Sequence, residues 1–212
     1  RPAQIITRKS IENAIRALAA TGGSTNGVLH LLAIAKTGGI KLAIDDFDRI
    51  SASTPLLADM KPWGRFVAND LYTVGGIPLV LKRLLAAKLL HGDALTVRGG
   101  TLAESLKGIA VKEDEKRIVH QVSDPISVHG GLVILKGNLA PEGGVLKVAG
   151  HFSADQIRKK GAKKDGPTFR GPARVFAREE DAFEAIQKNK IRAGDVIVIR
   201  YEGPAGGPGM RE

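Results

Sequence analysis

The 212-residue sequence contains no cysteine, one tryptophan, two tyrosines and six phenylalanines. Without cysteine the chain can form no disulfide, no thiolate zinc site and no cysteine nucleophile. Nor can its own side chains hold an iron–sulfur cluster through thiolates. The lack of thiols fits a reducing compartment. With aromatics at 4%, the core has to be built from Leu, Ile, Val and Ala. No run of about 18 apolar residues occurs, which argues against a membrane-spanning helix. The chain starts at Arg1 rather than methionine and stops at Glu212 after a Gly/Pro run. The expectation from these ends is a piece of a longer protein.

What the chain does contain is ordinary for one or two globular domains: 43% hydrophobic and 25% charged residues. The net charge of +10 is unevenly spread. Between Arg158 and Arg178 eight basic residues face the single acid Asp165. Such a segment attracts nucleic acid or another anion. Only Phe169 and Phe176 are available there for stacking on bases, which favours a solvated basic loop over a nucleic-acid-binding module.

Periodicity divides the chain in two. Residues 1–9 read as extended. Ile11, Ala14, Ile15 and Leu18 then recur at helical spacing up to Thr21-Gly22-Gly23. A second helix is predicted from Ser24 or Thr25 to Gly38-Gly39, a short one over 45–51, a helical piece over 67–74, and another from Pro78 to a stop at Gly92. After Gly92, short Val/Ile-rich runs alternate with turn residues. Strands are predicted over 95–97, 118–122, 132–136, 145–148, 173–177 and 196–201, with one helix over 179–188 whose inner face carries Ala182, Phe183 and Ile186. The pattern predicts an α+β chain, helical over 1–92 and β-rich, in a small barrel or sandwich, over 93–212.

Four features bear on chemistry. Thr21, Gly22, Gly23, Ser24, Thr25 and Asn26 place two glycines and several small polar groups before a helix start, which suits a carboxylate or phosphate. The same residues also read as a capped helix–helix turn. Their spacing matches neither a dinucleotide fingerprint nor a P-loop. Near the end, Val196–Arg200 runs into a Gly/Pro loop ending in Glu212, a carboxylate of the kind that binds a hard cation such as Mg²⁺, or the end of a disordered tail. Asp45, Asp46 and Asp48 lack calcium-loop spacing and read as a helix cap. The histidines 30, 91, 120, 129 and 151 contain no i, i+3 or i, i+4 pair. His30 reads as a core contact or a neighbour of the Thr21–Asn26 turn.

Longer phrases are more specific. Asn13-Ala14-Ile15, TGGSTNGVLHLLAIA from Thr21, LADMKPWGRFVANDLYTVGGIPLV from Leu57, LLHGDALTVRGGTLAESL from Leu89, GGLVILKGNLAPEGGVLKVAG from Gly130, GPARVFAREEDAFEAI from Gly171 and the closing IRAGDVIVIRYEGPAGGPGMRE together resemble the dihydroxy-acid and sugar-acid dehydratase family. The resemblance runs end to end, with two departures. Trp63 stands in a KP-x-G turn where the family often has a small residue. The basic segment 154–170 is longer than usual.

The resemblance implies a hydro-lyase that removes water from a 2,3-dihydroxy carboxylate to give a 2-keto acid. It implies an iron–sulfur cluster as Lewis acid for the leaving hydroxyl and Mg²⁺ near the substrate carboxylate. The PGM-x-E element makes Glu212 a Mg²⁺ ligand. Cluster cysteines, magnesium aspartates and a carbamylated lysine are expected before Arg1, and a base serine after Glu212. The expected role of Thr21–Asn26 is substrate or cluster support. Residues 1–92 are expected to end the family's N-terminal α/β domain, and 93–212 to form an incomplete barrel-like C-terminal domain. LADMKPWGRFVANDL favours a branched-chain substrate of valine and isoleucine biosynthesis over an aldonate. A homodimer or homotetramer in the cytoplasm, or an organelle of a eukaryote, is the implied setting, with no nucleic-acid or membrane partner.

Overall fold

In the computed structural model the described residues are 1–110, 114–148 and 170–202, and the chain divides into two units, Arg1–Ala162 and Lys163–Glu212. Residues 1–9, predicted extended, instead hold α1 (Pro2–Ile5) and the first turn of α2 (Arg8–Ala20). The reason is a local cap: the Thr7 hydroxyl accepts from Ser10 N at 3.3 Å, while Thr7 N donates to the Ser10 hydroxyl at 2.8 Å. Helix α2 stops at Thr21 through a glycine motif. Gly23 N donates to Leu18 O and Gly22 N to Ala19 O, with Gly22 at φ +58°.

The remaining elements of this unit are α3 (Asn26–Thr37), α4 (Ile44–Ala52), α5 (Ala68–Thr73), α6 (Gly76–Ala86), α7 (Leu102–Lys107), β1 (Leu132–Leu135) and β2 (Gly144–Lys147). Helix α6 ends at Ala86, well before the predicted stop at Gly92, as Lys88 turns left-handed at φ +58°. The strands expected at 95–97 and 118–122 reduce to isolated bridges, Leu95 with Thr101 and Val119 with Ala58.

Two aliphatic cores hold the unit. Ile11, Ile15, Val28, Phe47, Ile50 and Leu132 form one, between α2, α3, α4 and the β1–β2 hairpin. Leu57, Leu71, Leu79, Val80, Leu84 and Val119 form the other, around α6. Strand β1 pairs antiparallel with β2, placing Leu132 opposite Lys147.

In the second unit β3 (Ala173–Phe176) and β4 (Val196–Ile199) pair in parallel, joined by α8 (Glu179–Gln187). Helix α8 buries Ala182 and Ala185. Phe183 and Ile186, predicted on its inner face, are 59% and 50% exposed. The small alanines allow the helix to lie close on two short strands, and the larger side chains are turned outward. Both sheets are two-stranded, and the described residues form no closed barrel.

Candidate functional site

An extended segment, Leu56–Met60, is joined by hydrogen bonds to three neighbours. Ala20 O, at the end of α2, accepts from both Leu57 N and Ala58 N at 2.8 and 3.1 Å. On the other side Asp59 N donates to Ile118 O, His120 N to Leu57 O and Leu56 N to Ser127 O. The chain then reverses through Met60–Arg65, with a cis Lys61–Pro62 bond and Gly64 N donating to Met60 O at 2.8 Å. A Cβ on Gly64 would lie 2.3 Å from the Asp59 carbonyl carbon and 2.4 Å from Met60 N, so this turn admits no side chain there.

The β1–β2 hairpin reaches the same place. Gly131 N donates to Ala19 O, and Val148 N to Gly131 O. The end of α2, the 56–64 segment and the end of β2 thereby enclose a cleft of about 100 Å³. Thr21, Gly22, Leu56, Ala58, Asp59, Met60, Trp63, Gly64, Ile126, Lys147 and Val148 line it.

Its walls are mostly apolar, and its two ionisable groups differ. Asp59 is engaged: Oδ1 accepts from Arg65 N at 3.0 Å and Oδ2 from Arg65 Nε at 2.5 Å, while Arg65 also lies over the Phe66 ring at 5.0 Å. Lys147 has no acidic partner among the described residues, and partial burial pushes its ammonium pKa below the ordinary lysine value.

Of the turn singled out in the sequence, Thr21 and Gly22 line the cleft; Gly23, Ser24, Thr25 and Asn26 do not. The N–H groups an anion would use at the start of α3 are already engaged. Asn26 N donates to the Ser24 hydroxyl at 3.2 Å, Gly27 N to Ser24 O and Val28 N to Thr25 O. The Thr21 hydroxyl donates to Ala17 O at 2.8 Å. His30 is exposed rather than in the core. Glu212 lies outside the described residues, as does His151.

The three aspartates are ion-paired and capping groups. Asp46 accepts from Ala43 N, two Arg8 nitrogens and Arg49. Asp45 pairs with Lys136, and Asp48 accepts from Ile134 N at 3.2 Å. Among the described residues no three His, Asp or Glu side chains gather to hold a metal ion. With no cysteine in the chain, the described residues do not fit an iron–sulfur cluster or a magnesium site. Among the described residues no helix is long and apolar enough to cross a membrane.

Sequence reasoning missed Lys147 and Asp59 as cleft residues. The available signal was a single lysine within the otherwise apolar run Val145–Val148.

The family model for the N-terminal part of dihydroxy-acid/6-phosphogluconate dehydratases matches residues 1–105, and that for the C-terminal part matches 117–212. The chain belongs to this family. Over all 212 residues it is 56% identical to a dihydroxy-acid dehydratase of Koribacter versatilis and 51% identical to one of Thermus thermophilus. It is 54% identical to dihydroxy-acid dehydratase 2 of Bradyrhizobium diazoefficiens. These matches take in 35%, 36% and 34% of the respective relatives, so the chain spans about a third of their length. The two family models part between residues 105 and 117, near the change in sequence texture. The division into packed units falls later, at 162/163.

Proposed function

We propose that the protein carrying this chain is a dihydroxy-acid dehydratase, a hydro-lyase that converts 2,3-dihydroxy carboxylates to 2-keto acids in branched-chain amino-acid synthesis. The observation that carries this reading is identity of 51–56% along the whole chain to relatives of that name. The reaction removes the C2 proton and the C3 hydroxyl, and the resulting enol ketonises. Hydroxide is a poor leaving group, so the step needs stabilisation of developing negative charge.

In this reading residues 1–92 end the N-terminal α/β domain and residues 93–212 belong to a barrel-like C-terminal domain. The iron–sulfur cluster is held by residues outside this chain. Glu212 is a magnesium ligand, and the Thr21–Asn26 turn supports the substrate through Thr21 and Gly22. A branched alkyl acid is favoured over an aldonate by the apolar cleft walls, since buried sugar hydroxyls would lack partners there.

The test is an assay of the complete protein with 2,3-dihydroxy-3-methylbutanoate and with an aldonate, following 2-keto acid formation. Turnover of the branched substrate is expected, with the aldonate much slower. Turnover of neither would falsify the reading. The 212-residue chain alone is expected to show no turnover.

A further inference from the structure

We propose that the outward face of α3 is a docking surface for the part of the complete protein that precedes Arg1, and that the docked part closes an apolar layer at the border of the cleft. This inference rests on the dehydratase reading and adds to it a surface and the occupant of that surface.

The make-up of α3 (Asn26–Thr37) leads to it. Among its twelve residues only Lys36, in the last turn, is charged. Val28 and Ala35 are buried, and Leu31 and Leu32 pack against the core shared with α2 and α4. At 3.6 residues per turn, Leu29, His30, Ala33, Ile34 and Thr37 fall together on the opposite face. All five are exposed, Leu29 by 55% and Ile34 by 43%.

Two neighbours show how a solvent-facing helix of this chain is built. Outside that core α2 carries Arg8, Lys9, Glu12 and Arg16, and α4 carries Asp45, Asp46 and Arg49. Helix α3 has no such polar stripe. A helix that is apolar on every side is a buried helix, so α3 is built to be covered.

Three points identify the cover. First, α3 lies within the part matched by the N-terminal dehydratase model, residues 1–105, while the chain spans about a third of the relatives' length. In the dehydratase reading residues 1–92 only end that domain. Its earlier elements are therefore the nearest source of a matching apolar surface.

Second, the face is small. Twelve residues make a helix about 18 Å long and 10 Å wide, so the face offers roughly 200 Å². A stable complex of separate chains uses about 800 Å² per partner. Exposed Ser24 before the helix, and exposed Lys36 and Lys41 at its other end, bound the patch. A segment of the same polypeptide can dock on so small an area, because the tether removes most of the cost of association.

Third, other stretches of this chain suit it poorly. Residues 149–169 and 203–212 lie outside the described part, and their sequences are rich in Lys, Arg, Gly and Pro. An apolar face is matched by apolar side chains.

The docking has a consequence for the cleft. Gly22 lines it, and α3 begins four residues later, a span of at most about 14 Å. The covering segment is thereby carried to the border of the cleft, and His30 becomes an interior side chain.

The experiment uses the complete wild-type protein. Hydroxyl-radical footprinting, read by mass spectrometry and corrected for intrinsic side-chain reactivity, compares Leu29, His30 and Ile34 with buried Val28 at a high and a low protein concentration. Photo-leucine is then incorporated into a mixture of light and heavy-nitrogen protein, and the partners of Leu29 are read from the cross-linked peptides. Leu29, His30 and Ile34 are expected to lose their reactivity to the level of Val28 at both concentrations. Leu29 is expected to cross-link, within one copy, to residues that precede Arg1.

Reactivity typical of exposed side chains overturns the inference. So does protection that is lost on dilution, a link from Leu29 that joins light and heavy copies, or the absence of any link to the preceding segment. Turnover of 2,3-dihydroxy-3-methylbutanoate is measured on the same preparation. An active protein with α3 exposed overturns the inference and leaves the dehydratase reading standing. An inactive protein with α3 covered by the preceding segment removes the dehydratase reading and leaves the docking surface standing.

Discussion

The two ends of helix α2 treat charge in opposite ways. At the N-terminal end Arg8, Glu12, Asp46, Arg49 and His91 form a connected set. Arg8 Nε donates to Glu12 at 2.8 Å and its terminal nitrogens to Asp46 at 2.8 and 3.0 Å, while His91 Nε2 lies 2.8 Å from Glu12. Burial alone would raise the Glu12 pKa, but the bonds from Arg8 and His91 outweigh it and hold it below the usual range. At the C-terminal end Lys147 lines the cleft with Thr21, Gly22 and apolar side chains, with no acidic partner among the described residues. A charge whose partners are all in the fold contributes to the fold. A partly desolvated charge without a partner raises the energy of the empty protein and is available to a ligand.

Substitutions at the two ends should therefore separate stability from binding. The largest expected effect is Gly64→Val, which forces a side chain into the Asp59–Met60 backbone. It should cost about 3 kcal/mol in urea unfolding and remove the cleft wall with it. Next is Asp46→Ala, which deletes both the α4 cap and the Arg8 partner. A loss of about 1–2 kcal/mol at pH 7 is expected.

That loss should depend on pH in a defined direction. Hydrogen bonds from Arg8, then from Ala43 N and Arg49, hold the Asp46 carboxyl well below its ordinary value against the opposing effect of burial. Its contribution is therefore complete above the unfolded carboxylate pKa of about 3.9 and disappears as pH falls through the lower folded value. Urea midpoints of wild type and Asp46→Ala should converge in strong acid. Midpoints that stay apart there would point to the cap geometry rather than to the carboxylate charge.

Lys147→Met tests the other end. It should leave stability unchanged or raise it by up to about 1 kcal/mol, because it removes a partly desolvated cation that has no acidic partner among the described residues. A loss above 1 kcal/mol in thermal unfolding would contradict the contrast between the two ends. The smallest effect belongs to Lys9→Ala, which breaks the exposed pair with Asp93. No measurable change is expected in the same measurement, since solvent screens so exposed a pair.

Much of this arrangement is legible in the residues. Helices α2, α3, α4 and α6 announce themselves through apolar spacing, and Thr21-Gly22-Gly23 marks the end of α2 as a glycine cap does. Other elements were hidden for identifiable reasons. Thr7 and Ser10 cap each other across a segment that looks extended because Pro2 opens it. Thr101 and Glu104 form a capping box for α7, with Thr101 Oγ1 accepting from Glu104 N at 3.2 Å. That T-x-x-E signal stands in the sequence but follows Leu95-Thr96-Val97, which suggests a strand. Val119 and its neighbours have strand-like composition but meet Leu57 and Ala58 through only a few bonds, so they form a bridge and not a ladder.

The cleft was the least legible part. Thr21, Asp59 and Lys147 are separated by 38 and 88 positions, and no local pattern links them. They meet because Ala19 and Ala20 offer their carbonyls to the hairpin and to the 56–58 segment. Only the tertiary docking shows that Asp59 is engaged by Arg65, while Lys147 has no acidic partner among the described residues.

Trp63 is the sole indole of this chain and is 54% exposed on the cleft wall. An indole half in water emits at longer wavelength than one covered by a ligand. The turn therefore gives the chain its own optical reporter: occupancy of the cleft should shift the emission of Trp63 to the blue, without any label and without turnover.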